Sequence, residues 1–117
     1  MGFFDWVIKS FKDCINFQTR SGRKEYIYFQ LFTLLLLVVA NVLGLVFGVV
    51  GKLVLVTLFT ILLFLPAVAI TIRRLHDINV SGVFAFIFMI PYVSAIMILF
   101  LMIKPSDAGT NRFGPQV

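Results

Sequence analysis

The sequence predicts an all-α, polytopic membrane fold: an N-terminal interfacial amphipathic helix and three transmembrane helices, the third open to a break or a re-entrant turn at Pro91. Three observations carry that expectation. Of 117 residues, 61% are apolar and 13% charged, where a soluble domain carries about 25% charge. Three windows, 26–51, 53–72 and 83–103, contain no charged side chain, and each matches the roughly 20 residues a helix needs to cross a hydrocarbon core. The cations gather at the edges of these windows rather than inside them.

Residues 3–18, FFDWVIKSFKDCINFQ, are expected to form the amphipathic helix. At about 100° per residue, Phe3, Phe4, Val7, Ile8, Phe11, Cys14 and Ile15 share one face, while Asp5, Lys9, Lys12, Asp13 and Asn16 share the other. Trp6 and Phe17 flank the apolar arc, as in a helix lying in the headgroup plane. Packing of the same face on the protein itself explains the pattern equally well. The charges in this stretch rule out the apolar core of a cleavable leader, so the mature chain is expected to begin at Met1. Cys14 is the only cysteine and reads as a small apolar residue on a helix face.

Ser21 and Gly22 break the chain before the first span, 26–50, whose helix begins with Arg23, Lys24 and Glu25. Gly44 and Gly48 stand at GxxxG spacing, which permits close approach of membrane helices, and are the candidate helix-packing residues. From Gly48 to Gly51 a tight turn into the next span is the plainer reading. The second span, 53–72, carries Pro66 and is expected to kink near Leu62. The third, 83–103, carries Pro91, and the tail 104–117, KPSDAGTNRFGPQV, reads as a loop. No linker or repeat divides the chain, so 1–117 is one domain.

Charge and length disagree about the third span. With three crossings, seven cations lie on the N-terminal side and three opposite, which places the N-terminus in the cytoplasm. A return at Pro91 makes the division nine against one, with Lys52 alone on the far side. Length opposes the return, because helical halves of 8 and 12 residues reach only about 12 and 18 Å of roughly 30 Å. A re-entrant turn also needs protein around it. Three crossings are therefore expected.

The segment TIRRLHDINVSG, 71–82, keeps two arginines, the single histidine and an aspartate together between apolar windows. Arginines at the end of a span suit the helix C-terminus and snorkel to phosphates, but that role needs neither His76 nor Asp77. Asp77 stands four residues beyond Arg73, at pairing distance on a helix, and Ser81 is placed to cap the third span. One reading makes Arg20, Arg23, Arg73, Arg74, His76 and Asp77, with Asn111 and Arg112 from the tail, a cytoplasmic site for anionic lipid headgroups or a protein partner. The other is internal, with Asp77 and Glu25 neutralising arginines to lock helix ends together.

The chain has one His, one Cys and five carboxylates, none at zinc-ligand spacing, and neither a GxSxG elbow nor a Walker loop. No catalytic residue, metal or cofactor is expected, and nothing points to nucleic acid. The spans hold no ionisable group besides tyrosines, which argues against an ion relay. The leading expectation is a non-enzymatic, oligomeric inner-membrane module whose partners are membrane lipids, a second copy of itself or another membrane protein. A small pore of the holin kind is the alternative, and a lipid-modifying enzyme using His76 and Asp77 a more remote one.

Three stretches together, RSGRKEYIYF from Arg20, IRRLHDINVSG from Ile72 and KPSDAGTNRFGP from Lys104, resemble the signature segments of the DUF805 family, small bacterial inner-membrane proteins of unknown function. The resemblance runs in order along nearly the whole chain, and RRLHD with NRFGP is its most specific pair. It implies an integral membrane protein and no particular activity. By position it covers Arg20, Arg23, Glu25, Arg73, Arg74, Leu75, His76, Asp77, Ser81, Gly82, Lys104, Pro105, Gly109, Asn111, Arg112, Gly114 and Pro115. The chain departs from the pattern at Thr19 and Asn79, where the family usually has glycine, and near Ile27, Val83 and Phe84, where it has tryptophan.

Overall fold

The structure, a computed structural model, describes residues 2–106 and 108–114, so Pro115 of the tail motif lies outside the described residues. All regular elements among them are helical. The first, α1, spans Phe3–Lys12 and starts with the Asp5 carboxylate accepting the Gly2 N–H at 2.9 Å, a favourable place for a negative charge. It is shorter than the 3–18 expected, and Cys14 sits in the turn that follows. The cause is local and tertiary together. The Asn16 side-chain oxygen accepts the N–H groups of Gln18 and Thr19, closing a turn that competes with helix. The carbonyls of Asp13 and Asn16 turn to a guanidinium, that of Arg73.

The apolar face of α1 is divided. Val7 is buried, Phe3 meets Tyr28 edge-on, and Phe11 packs on Phe29 and Phe32. Phe4, Ile8 and Ile15 remain exposed on the opposite flank. One flank therefore packs on the protein, and the other presents apolar side chains outward.

The helix α2, Arg23–Asp77, covers 55 residues but leaves helical dihedrals at one place, Gly48, with φ 78° and ψ −173°. Only glycine adopts that conformation without strain. The chain reverses there into two antiparallel arms, 23–47 and 49–77, which hold the first two expected spans. A Cβ at Gly44 would lie 2.9 Å from Lys52 Cβ, so this glycine lets the arms close beside the turn. The two glycines thus act within one chain: Gly44 at the contact between arms, Gly48 as the corner. Pro66 is carried inside the second arm without a departure from helical dihedrals near Leu62.

The third apolar window is not one helix. A 3-10 segment, Gly82–Met89, is followed by α3, Pro91–Ile103, with Ile90 as the corner. Proline suits the first helical position because its missing N–H would find no partner there anyway. The Ser81 hydroxyl accepts the Val83 N–H at 3.4 Å, the cap expected of it. At the other end, the last carbonyls of α3, which no intrahelical N–H can reach, receive arginines from α2. Arg74 donates to the Leu101 carbonyl at 2.9 Å and to that of Lys104, and Arg23 donates to that of Ile103 at 3.1 Å. Both ends of 83–103 therefore lie beside the ends of α2, and the full third passage expected from length is replaced by a fold-back at Pro91. The core of the polar end is Tyr26, Phe29, Leu63, Ile70, Leu75 and Leu101.

Candidate functional site

Where the arms of α2 end, three arginines and two carboxylates are withdrawn from solvent: Arg20 is 3% exposed, Glu25 1%, and Arg73, Arg74 and Asp77 0%. Buried charges persist only when paired and hydrogen-bonded, and each of these is. Arg73 reaches Glu25 Oε1 at 3.0 Å and the Ser21 hydroxyl at 2.8 Å, with its remaining fork on the carbonyls of Asp13 and Asn16. Arg20 donates from Nε to Asp77 Oδ1 at 3.0 Å and from its terminal nitrogens to the carbonyls of Asp77, Gly109 and Gly114. Arg74 pairs with Asp77 Oδ2, which also accepts the Ser106 hydroxyl.

The pairing differs from the spacing argument. Asp77 serves Arg74 and Arg20, whereas Arg73 turns to Glu25 on the other arm. Glu25 additionally receives Lys9 Nζ at 3.0 Å and the Ser10 hydroxyl at 3.4 Å, which fastens α1 to the same cluster. Three buried guanidinium groups against two carboxylates leave a positive surplus, and carbonyl oxygens from α1's turn, α3 and the tail supply the compensating negative ends of dipoles. A planar fork of five donors suits that task better than an ammonium.

His76 is 6% exposed. Its Nδ1 lies 3.0 Å from the Thr19 carbonyl, which can only accept, so that nitrogen carries a proton. Its ring stacks on Phe113 at 3.9 Å between centroids and 6° between planes, and the Asn111 amide donates to its carbonyl at 3.0 Å. The tail is held in a tight reversal, with reciprocal main-chain bonds between Asn111 and Gly114. Arg112 donates to the Asn79 carbonyl at 3.2 Å and covers the Phe113 ring. Asn79 takes φ 60°, the left-handed conformation that glycine supplies elsewhere and asparagine tolerates.

The candidate residues thus divide into two sets. Arg20, Arg73, Arg74, His76 and Asp77 are buried in mutual contact, and Asn111 closes the cluster from the tail. Arg23 and Arg112 stand at its exposed rim, together with Lys12, Lys24 and Lys104. Ser21, Ser106 and Lys9 joined the network without being singled out in sequence. For Lys9 the signal was present, since a lysine on the polar face of α1 is well placed to find a carboxylate.

A helical chain with a long apolar hairpin, sealed at one end by a buried arginine and carboxylate network, defines the class: an integral membrane protein without a recognisable catalytic constellation among its described residues. The family model described as "Protein of unknown function (DUF805)" matches residues 14–115, and the chain belongs to that family. It is 36% identical over 115 residues to "Inner membrane protein YhaH" of Escherichia coli (strain K12), covering 96% of this chain and 95% of that protein. It is 33% identical over 109 residues to "Inner membrane protein YhaI" of the same strain, covering 93% and 92%. No solved structure matches.

Proposed function

We propose that this is a non-enzymatic membrane module with two crossings and one re-entrant loop, whose cytoplasmic rim binds anionic lipid headgroups. The observation that carries the reading is the division of cations at the polar end. Arg20, Arg73 and Arg74 are consumed inside the network, while Lys12, Arg23, Lys24, Lys104 and Arg112 remain exposed around it. Exposed cations beside a leaflet attract anionic lipid at about 1 kcal/mol each. The orientation rests on the same charges: the polar end holds nine of the ten cations, and only Lys52 accompanies the turn at Gly48. The exposed apolar flank of α1, with Phe4 and Ile8, supports its lying in the headgroup plane.

The corner at Met89, Ile90 and Tyr92 is exposed in the single chain. Its local bonds, Ile90 N–H to Ile87 and Ser94 N–H to Ile90, satisfy part of the backbone, and irregular backbone at membrane depth is tolerated where protein covers it. A second copy covering this corner supports the oligomeric reading.

The test is competition between lipids. In nanodiscs mixing phosphatidylglycerol with phosphatidylcholine, native mass spectrometry of the released protein should retain phosphatidylglycerol preferentially. The quadruple variant Arg23→Gln, Lys24→Gln, Lys104→Gln, Arg112→Gln should lose that preference while keeping its fold. Unchanged preference in the variant overturns the proposal.

A further inference from the structure

Beside the network, on the apolar side, lies a cavity of about 670 Å³ between the two arms of α2, the 3-10 segment and α3. That volume falls within the range of small-molecule sites, roughly 300–1,000 Å³. Its inner end is formed by Tyr26 and Phe29, which are 0% and 1% exposed, and its mouth by Phe64, Phe86 and Met89, which are largely exposed. A molecule lodged there has its head beside the polar end of the protein and its tail towards the lipid-facing mouth.

One atom at the inner end is unexplained by the fold. The Tyr26 hydroxyl is buried and has no hydrogen-bond partner, although Thr71 and Gln30 stand close to it in the same lining. A buried hydroxyl without a partner costs about 1–3 kcal/mol, and buried tyrosines normally find one. No charged side chain lines the cavity, so a phosphate or ammonium head would meet no counter-charge. The donor faces a space walled by Phe29, Phe64, Phe86 and Phe88, which suits a flat ring in offset or edge contact.

We infer that this cavity binds the head of a neutral, ring-headed prenyl lipid of the quinone type, one of whose carbonyl oxygens accepts the Tyr26 hydroxyl. The site is separate from the exposed cationic rim and takes a different chemical class of lipid. Thr71 and Gln30 flank the same oxygen, and the prenyl tail leaves between Phe64 and Met89.

The experiment uses the full chain purified in detergent, with decylubiquinone as probe and equilibrium dialysis as readout, alongside thermal unfolding. Saturable binding of one molecule per chain is expected, with a concentration-dependent rise in Tm. Tyr26→Phe removes only the hydroxyl. It should leave the Tm of the ligand-free protein unchanged or higher, because an unsatisfied group is lost, while weakening binding about tenfold. Ala85→Leu, which narrows the cavity from the 3-10 segment, provides a second variant and should also weaken binding. Absence of saturable binding to the wild type, equal affinity in Tyr26→Phe, or displacement of the probe by equimolar dioctanoylglycerol would each overturn the inference.

Discussion

Arg73 and Glu25 meet at 3.0 Å between side chains that are each 1% exposed, joining the two ends of a helical hairpin whose turn lies at Gly48. The Ser21 N–H adds a main-chain bond to the Arg73 carbonyl at 3.0 Å, so the entry and exit of α2 are tied twice. This pair is the base of the clamp, and its first consequence concerns stability. Removing one partner leaves the other charge buried without compensation, which costs about 3–5 kcal/mol. Arg73→Gln and Glu25→Gln should each lower the unfolding midpoint strongly in detergent, whereas Arg73→Met combined with Glu25→Leu should recover much of the loss. A double variant no more stable than either single one would show that the pair does not act as a unit.

Gly48 has a conformation that a Cβ strains at any residue type. Gly48→Ala is expected to destabilise the hairpin by about 1–3 kcal/mol. Gly44→Ala should act by another route, since its Cβ would stand 2.9 Å from Lys52 Cβ and force the arms apart. Lys52→Ala leaves that Cβ in place and should not rescue it; Lys52→Gly should. Chemical unfolding of the four variants separates strain at the corner from crowding beside it.

Topology is tested by a cysteine at Thr110 in a Cys14→Ser background, labelled with an impermeant thiol reagent. The fold-back at Pro91 puts Thr110 on the side of Asp77, so labelling is expected only after the cells are opened, while a cysteine at Lys52 should label in intact cells. Labelling of Thr110→Cys from outside would require 83–103 to cross fully and would dissolve the contacts of Arg74 with Leu101 and Lys104.

The tail docks through His76 and Phe113, whose rings stack at 3.9 Å. Phe113→Ala removes that contact and the surface beneath Arg112, and is expected to release the tail to limited proteolysis while leaving α2 intact. Aromatic contacts of this kind contribute about 0.5–1.5 kcal/mol beyond buried area, too little to unfold the hairpin. Loss of the folded core in this variant would mean that the tail is integral to the clamp.

At Asn79, with φ 60°, Asn79→Gly should be neutral or slightly stabilising and Asn79→Val destabilising, because a β-branched side chain strains in that region. The two midpoints, measured side by side, check whether the turn keeps its left-handed residue in the folded protein.

Composition and local chemistry determined a good deal by themselves. Uncharged windows of adequate length dictated apolar helices, and Ser81 capped the 3-10 segment as its residue type requires. The corner at Gly48 was legible as the plainer of two readings, since glycine alone occupies its dihedrals cheaply. The family signature was carried by RRLHD and NRFGP. What the sequence left undecided was decided by long-range acceptors for arginine. Asp13 and Asn16 gave up helical hydrogen bonding to serve Arg73, which ended α1 at Lys12. Asp77 served Arg20 and Arg74 because Glu25, 48 residues before Arg73, took the partner that spacing assigned to it. The return of 91–103 turned on the same physics: length counted against two short halves, but the end carbonyls of α3 need donors, and Arg74 and Arg23 supply them at the polar end. A guanidinium withdrawn from water must find every acceptor it can, and where those acceptors lie is a property of the folded chain rather than of any local stretch of it.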